Sequence, residues 1–102
     1  MVVLTQQNFE DLAELAGYSI GYWADSAHVD PDQYTIVEGD TGEMHMIPRV
    51  RMEQVMTKVA AGQYEVADGL RKAVLGGDLG DLDAAAADVL FQLCVFDEVV
   101  YA

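Results

Sequence analysis

The clearest structural signal in the chain is the segment Tyr34–Ile47, YTIVEGDTGEMHMI. Residues 34–38 are rich in β-branched and aromatic side chains, residues 43–47 alternate as a strand does, and the intervening Gly-Asp-Thr-Gly is typical of a turn. The segment therefore predicts a β-hairpin. Within its second strand we expect Met44 and Met46 in the core and His45 on the opposite, less buried face.

Helical periodicity lies on both sides of the hairpin. Thr5 reads as an N-cap, with Leu4 and Phe9 placed as a hydrophobic staple. The apolar face of this first helix is Phe9, Leu12, Ala13 and Ala16. After the hairpin, Pro48 suits the first turn of a second helix. Its apolar stripe, which ends before Gly62, is Met52, Val55, Met56 and Val59.

Two further helices are predicted toward the C-terminus. A short one is indicated by Tyr64, Ala67, Leu70 and Val74, and Gly76-Gly77 ends it. Acids at 78, 81 and 83 suit the start of the last helix, where they complement its dipole. Its expected buried face is Leu82, Ala85, Ala86, Val89, Leu90 and Leu93. Residues 98–101 are expected either to end this helix or to form a short strand.

Two segments before the hairpin are less regular. Residues 18–24 alternate around Gly21, which predicts a strand with a bulge or a close backbone approach. In such a strand Tyr22 and Trp23 would point to opposite faces. Residues 25–33 contain three acids, a histidine and a proline, and they predict an exposed loop.

Together these patterns predict one α+β domain over residues 1–102. It should contain an N-terminal helix, a small antiparallel sheet of about three strands around the central hairpin, and about three C-terminal helices on one face. The chain is long enough to bury one core without disulfides.

The charge of the chain is the main restriction on its partners. Eighteen acids against five Lys and Arg give a net charge of -13, and residues 1–43 carry nine acids and no Lys or Arg. We therefore expect no direct nucleic-acid ligand and no binding to membranes, and we expect a basic protein partner. No apolar run is long enough to span a bilayer, no secretory signal is visible, and Cys94 is the only cysteine. These features predict a cytoplasmic protein.

Catalytic and metal-binding patterns are not found in the sequence. There is no nucleophile elbow, phosphate-binding loop or cysteine pair. His28 and His45 lack ligand spacing. The acids Asp25, Asp30 and Asp32 lack the glycine and the later glutamate of a calcium loop. We expect no catalytic residues, no metal site and no cofactor, and hence no enzyme.

Three segments carry a resemblance to other proteins. They are residues 19–24 (SIGYWA), the hairpin 34–47, and residues 87–101 (ADVLFQLCVFDEVVY). In this order and spacing they resemble a family of small, acidic, uncharacterised proteins of actinobacterial phages and their hosts. The resemblance implies a phage setting but no activity. Asp97 departs from the pattern, where glycine would be expected.

The first functional hypothesis is an accessory protein of phage type that binds a host or phage protein, either as an inhibitor or as a nucleic-acid mimic. Its binding surface would be acidic, with an aromatic anchor in Tyr22 or Trp23. The acidic residues of that surface are Glu10, Asp11, Glu14, Asp25, Asp30 and Asp32.

Two alternatives belong to other classes. A nucleotide-binding sponge would stack a base between aromatic residues beside Gly21 and meet the phosphate with an arginine. Its residues would be Gly21, Tyr22, Trp23 and Tyr34, with Arg49 or Arg51. A structural homo-oligomer, such as a homodimer, would use the apolar C-terminal segment 89–101 as its interface.

Overall fold

The computed structural model describes all residues 1–102. Four α-helices and three strands follow one another along the chain, with two short 3₁₀ turns at Ile20–Tyr22 and Leu79–Asp81. The elements in chain order are α1 (Gln6–Ala16), β1 (Ala24–Asp30), β2 (Gln33–Glu38), β3 (Met44–Pro48), α2 (Arg49–Ala60), α3 (Asp68–Gly76) and α4 (Ala84–Phe96). The predicted α+β class is confirmed.

The three strands form one antiparallel sheet in the order β1-β2-β3. Its inner face is covered by helices, and Tyr34, Ile36 and Ile47 are buried there. Phe91 of α4 contacts Tyr34, with ring centroids 4.9 Å apart, and also contacts Phe9 of α1. The helices therefore lie on one face of the sheet, as predicted.

The central hairpin forms as predicted, but its second strand faces the other way. The turn is closed by a bond from the Glu38 amide to the Glu43 carbonyl, and Gly42 has a positive φ. Because Ile36 pairs with His45, the histidine points inward with Ile47. Met44 and Met46 are 64% and 63% exposed on the outer face. The prediction of their burial is wrong because a strand has a period of two, so burying Ile47 turns both methionines outward.

Residues 18–23 do not form a strand, and only Ala24 of the predicted strand belongs to β1. The chain turns directly after α1, because the amides of Tyr18 and Ser19 bond to the carbonyls of Leu15 and Ala16. A 3₁₀ turn follows, in which the Trp23 amide bonds to the Ile20 carbonyl. The buried side chains, Ile20 and Trp23, are three residues apart, which is the period of a 3₁₀ turn and not of a strand. A Cβ at Gly21 would meet nothing within 4 Å, so no close approach exists there.

The segment 25–33 is also corrected, because it forms β1 and a two-residue turn. β1 is an edge strand whose residues are mostly exposed, which explains its polar composition. Its residues pair with β2 from Asp30 opposite Gln33, at the turn, to Ala24 opposite Glu38 at the other end. A bulge lies between Ala24 and Ser26 of β1. Asp32 adopts a positive φ of 62°, a conformation that Asp tolerates better than most residues.

The helices follow their predicted periodicity. Thr5 caps α1 by accepting a 3.0 Å bond from the Asn8 amide, and Asp83 caps α4 by accepting a 2.8 Å bond from the Ala86 amide. Such a cap stabilises a helix by about 1 kcal/mol. The predicted faces of α1 and α2 are buried, and so are Leu70 and Val74 of α3. Tyr64 and Ala67 precede α3.

Helix α4 buries a different and wider face than predicted. Its buried residues are Ala87, Asp88, Leu90, Phe91, Gln92, Leu93 and Cys94. Ala85 of the predicted face is exposed, while Ala86 and Val89 are half-buried. The prediction was partly wrong because α4 contacts α1, α2 and β3 on several sides. The part of the predicted face that is left open is Ala85, Ala86 and Val89, whereas Leu90 and Leu93 are buried as predicted.

Helix α4 ends at a left-handed residue, Asp97, with φ of 61°. This conformation favours glycine, the residue expected there from the resemblance. The Asp97 carboxylate accepts a hydrogen bond from the Tyr64 hydroxyl, which lowers its pKa. Residues 98–101 form neither a strand nor a continuation of the helix. None of the helices combines the length and apolar character required to cross a lipid bilayer.

Candidate functional site

An apolar groove with a volume of about 570 Å³ lies between α3 and α4. Its floor includes Leu70 and Leu82, and its α4 wall is the open face formed by Ala85, Ala86 and Val89. Three carboxylate residues, Glu65, Asp81 and Asp83, also line it, and no Lys or Arg does. We call this feature the acidic groove. It offers apolar contact area together with negative charge.

A second, smaller groove of about 390 Å³ continues from the first. Leu82 lines both grooves, and the second is otherwise formed by α1 and the 3₁₀ turn at residues 79–81. Asp11 belongs to its wall together with Leu12 and Leu15. One acid of the predicted binding surface, Asp11, is therefore placed next to the acidic groove.

The remaining acids of the predicted surface line neither groove. Glu14 is exposed on α1 and Glu10 is half-buried. Asp25 is exposed on β1, and Asp30 bonds to His28 at 3.0 Å. Asp32 forms an ion pair with Arg49 at 2.9 Å. The structure thus divides the six acids between α1 and the β1 edge.

The two aromatic anchors have different environments. Trp23 is 3% exposed, stacks on Tyr101 with ring centroids 5.5 Å apart, and packs against Phe96. It cannot contact a partner without local unfolding. Tyr22 is 56% exposed, and its hydroxyl donates a 2.6 Å bond to Asp88. Burial of the hydroxyl and this bond raise the pKa of Tyr22 to about 12.

A buried polar network attaches the C-terminal tail to α4. The Gln92 side chain accepts bonds from the amides of Val100 and Tyr101 at 2.9 and 2.8 Å, and it donates to the Tyr101 carbonyl. It also donates to Asp88, which accepts a further bond from the Trp23 indole. The tail contributes Val99 to the acidic groove. The network therefore positions one wall of the groove.

The Tyr101 side chain connects the tail to a second polar cluster at the β2–β3 hairpin. The Tyr101 hydroxyl donates to Glu38, which raises the pKa of Tyr101 to about 12 and lowers that of Glu38. His45 lies 3.1 Å from the other oxygen of Glu38 and 4.0 Å from Glu43. Side-chain ligand atoms of Glu38, Glu43 and His45 all lie within 4.8 Å of one another. These three residues are chemically able to hold a metal ion.

Glu38→Gln is expected to reduce the pH dependence of stability. The pKa of Glu38 is lowered in the folded chain, so its carboxylate stabilises the fold above the ordinary pKa of about 4.3. That contribution is lost as the pH falls through the lower folded value. Urea unfolding between pH 7 and pH 3 should show the variant less stable at pH 7 and the gap closing in acid. If the difference in unfolding free energy between the wild type and the variant were the same at pH 7 and pH 3, the lowered pKa of Glu38 would be contradicted.

The residues of the nucleotide alternative are already engaged elsewhere. Tyr34 is buried under α4, and burial raises its pKa to about 12. Arg49 donates to Asp32 and to the Leu4 carbonyl. Arg51 donates to the Leu93 and Cys94 carbonyls, where it caps α4. Neither these side chains nor the exposed Gly21 line either groove.

The acidic groove was not foreseen from the sequence. Its α4 wall had the pattern of a core face, and nothing local distinguishes an apolar stripe that is covered from one that is left open. The signal that could have indicated it is the acid-rich segment 78–83 directly before that stripe. Those acids were assigned only to the helix dipole.

The three segments on which the expected resemblance rests, residues 19–24, 34–47 and 87–101, contact one another in the structure. Residues 19–24 supply Trp23, the hairpin supplies Glu38, and residues 87–101 supply Asp88 and Tyr101 to the two linked polar clusters. Comparison of the chain with family models, with curated proteins and with solved structures found no match in any of the three.

Proposed function

We propose that this chain is a non-enzymatic accessory protein of phage type that binds a basic protein partner in the host bacterial cytoplasm. The binding surface is the acidic groove, extended along α1 by Asp11 and Glu14. The observation that carries the proposal is an apolar helix face left open by the chain, in a groove whose charged lining residues are all acids.

The distribution of charge supports a basic partner. Fourteen of the eighteen acidic residues are exposed, and two of these, Asp32 and Asp97, lie within 4 Å of an arginine. The uncompensated negative field attracts cations and repels nucleic acid. Charge complementarity of this kind mainly accelerates association and excludes wrong partners.

The shape of the groove supports binding of an apolar side chain of the partner. Ala85, Ala86 and Val89 present small side chains, so a larger apolar residue can enter between α3 and α4. Burying it removes apolar area from water, which stabilises the complex by about 25 cal/mol per Å² before association costs are subtracted. Glu65, Asp81 and Asp83 would meet basic residues beside it. Apolar contact supplies affinity here, and charge supplies rate and selectivity.

Tyr22 remains the aromatic anchor of the proposal. Its ring is exposed while its hydroxyl is held by Asp88 and by the Tyr101 carbonyl, so little rotamer entropy is lost on binding. These two hydrogen bonds connect Tyr22 to α4 and to the C-terminal tail, and both of these segments contribute residues to the wall of the acidic groove. Trp23 takes the supporting role, because it is buried beneath the tail.

The homo-oligomer is kept as a second candidate because of the open sheet face. Met44 and Met46 are exposed there, and each is paired across the strands with Val37 or Thr35. The α4 part of the apolar segment 89–101 is largely buried inside the chain, so it is the outer sheet face that would serve as the interface. Sedimentation equilibrium of the wild type and of Met44→Lys tests it. A monomer at all concentrations removes this candidate.

The partner proposal is tested with two charge variants of equal size. The groove variant is Glu65→Gln, Asp81→Asn and Asp83→Asn, where Asn keeps the cap of α4. The matched control is Asp25→Asn, Asp30→Asn and Asp32→Asn on the β1 edge. Each removes three negative charges. Wild-type bait in actinobacterial lysate at about 50 mM salt identifies the captured protein, and about 500 mM salt should release it.

The expected result is that the groove variant associates with the purified partner roughly tenfold more slowly, while the β1 variant changes far less. Ala85→Trp, which fills the groove, should raise the dissociation rate, and the exposed Ala61→Trp should not. Equal slowing by both charge variants together with no effect of Ala85→Trp would reject the groove as the site. If no protein is captured and a nucleotide raises the melting temperature of the chain, the nucleotide-binding alternative is favoured.

A further inference from the structure

We propose that Glu38, Glu43 and His45 form a binding site for Zn²⁺ or a chemically similar divalent transition-metal ion. The site lies at the closed end of the β2–β3 hairpin, apart from the acidic groove. His45 Nε2 is 3.1 Å from Glu38 Oε1 and 4.0 Å from Glu43 Oε2. All three ligand atoms lie within 4.8 Å of one another.

These separations are close to those around a bound ion. Zinc binds imidazole nitrogen and carboxylate oxygen at about 2.0–2.2 Å, so neighbouring ligand atoms of a tetrahedral ion lie about 3.3–3.5 Å apart. The Glu38–His45 separation is slightly below this value and the Glu43–His45 separation is slightly above it. The Glu43 side chain is 69% exposed. It can therefore complete the set by a side-chain rotation, without movement of the hairpin.

The charge of the site calls for a cation. The Glu38 side chain is only 7% exposed, and its one ion-pair partner is His45, since no Lys or Arg lies within 4.0 Å. A second acid, Asp40, lies 3.5 Å from the Tyr101 hydroxyl that binds Glu38. The Glu38 carboxylate accepts a hydrogen bond from Tyr101 and lies against His45, and neither partner carries a permanent positive charge. A divalent ion would supply one and would also neutralise Glu43.

Neighbouring groups hold the ligands in place. The Tyr101 hydroxyl donates to Oε2 of Glu38, which leaves Oε1 directed at the imidazole. The His45 ring packs edge-on against Phe96, with centroids 5.7 Å apart and an interplanar angle of 70°. The bond from the Glu38 amide to the Glu43 carbonyl fixes the backbone between the two acids. Such outer contacts orient metal ligands and strengthen their binding.

The donor set selects the class of metal. One imidazole and two carboxylates suit Zn²⁺ and related transition metals, whereas Mg²⁺ and Ca²⁺ prefer oxygen ligands alone. Three protein ligands also leave the fourth tetrahedral position for water. We therefore expect one zinc ion per chain, bound in the presence of excess Mg²⁺.

The test is calorimetric titration of the full chain with zinc chloride in buffer containing about 5 mM Mg²⁺. The variants are His45→Gln and Glu43→Gln, and the latter changes an exposed residue. The matched control is His28→Gln, because His28 is exposed and also lies 3.0 Å from a carboxylate, that of Asp30. Circular dichroism checks that each variant is folded.

The expected result is one zinc site with a micromolar dissociation constant in the wild type and in His28→Gln. His45→Gln and Glu43→Gln should each weaken it by about tenfold or more. The proposal is overturned if the wild type binds no zinc up to about 1 mM, since a site this weak would not discriminate against Mg²⁺. It is equally overturned if His28→Gln weakens binding as much as His45→Gln, or if Glu43→Gln binds as tightly as the wild type.

Discussion

Asp88→Ala is expected to lower the free energy of unfolding by about 3 kcal/mol. The Asp88 carboxylate is 7% exposed and accepts hydrogen bonds from the Tyr22 hydroxyl, the Trp23 indole and the Gln92 amide. Removing it leaves the Trp23 indole buried without an acceptor and takes one acceptor from the Gln92 amide, which keeps the Tyr101 carbonyl. Each unsatisfied donor costs about 1–3 kcal/mol, whereas the partly buried Tyr22 hydroxyl keeps the Tyr101 carbonyl as an acceptor.

Urea unfolding at pH 7 measures this loss. The control is Asp81→Ala, which changes an exposed acid and should leave the free energy of unfolding within about 0.5 kcal/mol of the wild type. Asp88→Asn should fall between the two, because its carbonyl accepts one bond while its NH₂ group faces other donors. We also expect faster hydrogen exchange at Val100 and Tyr101, whose amides Gln92 holds. A loss below about 1 kcal/mol would mean that water replaces the carboxylate.

Phe91→Ala should be the most destabilising single change, with a loss of about 3–5 kcal/mol. Phe91 is fully buried where α4 meets both the sheet and α1, and its ring contacts Tyr34 and Phe9. The smaller side chain removes apolar contacts and leaves a cavity between three elements. In a domain of this size the melting temperature should fall by roughly 15–30 °C.

Phe91→Leu is the matched control, because it keeps most of the apolar volume and should cost only about 1 kcal/mol. Differential scanning calorimetry of the two variants gives the comparison directly. Similar losses for leucine and alanine would show that ring geometry and not cavity formation dominates. A small loss for alanine would show that the surrounding helices collapse into the space.

Elements with strong local signals were predicted correctly. The hairpin between residues 34 and 47 formed because its turn glycines and β-branched residues favour that structure regardless of context. Helices α1 and α2 formed where their apolar residues recur at helical spacing, which is also a local signal. The burial of Cys94 also followed from its apolar neighbours, and that burial raises its pKa to about 12.

The errors lie where a local pattern has two structural solutions. Residues 18–24 alternate like a strand, but Ile20 and Trp23 are equally compatible with a 3₁₀ turn. Residues 25–33 are polar like a loop, but most residues of the edge strand β1 are exposed, so β1 tolerates the same composition. The cluster of Glu38, Glu43 and His45 has no short sequence motif, because Glu38 belongs to the strand opposite His45 and only strand pairing brings the two together.

The composition alone establishes the acidity of this chain and its single cysteine. Local patterns were enough to predict the central hairpin and most of the helices, because each of these elements depends on residues that are close together in the chain. The open face of α4, the inward turn of His45 and the burial of Trp23 depend on contacts between residues that are far apart in the chain. Asp88 meets Trp23 across 65 residues, and Tyr101 meets Glu38 across 63. Only packing of the complete chain decides which apolar stripe is covered, and so forms the acidic groove and brings Glu38, Glu43 and His45 together.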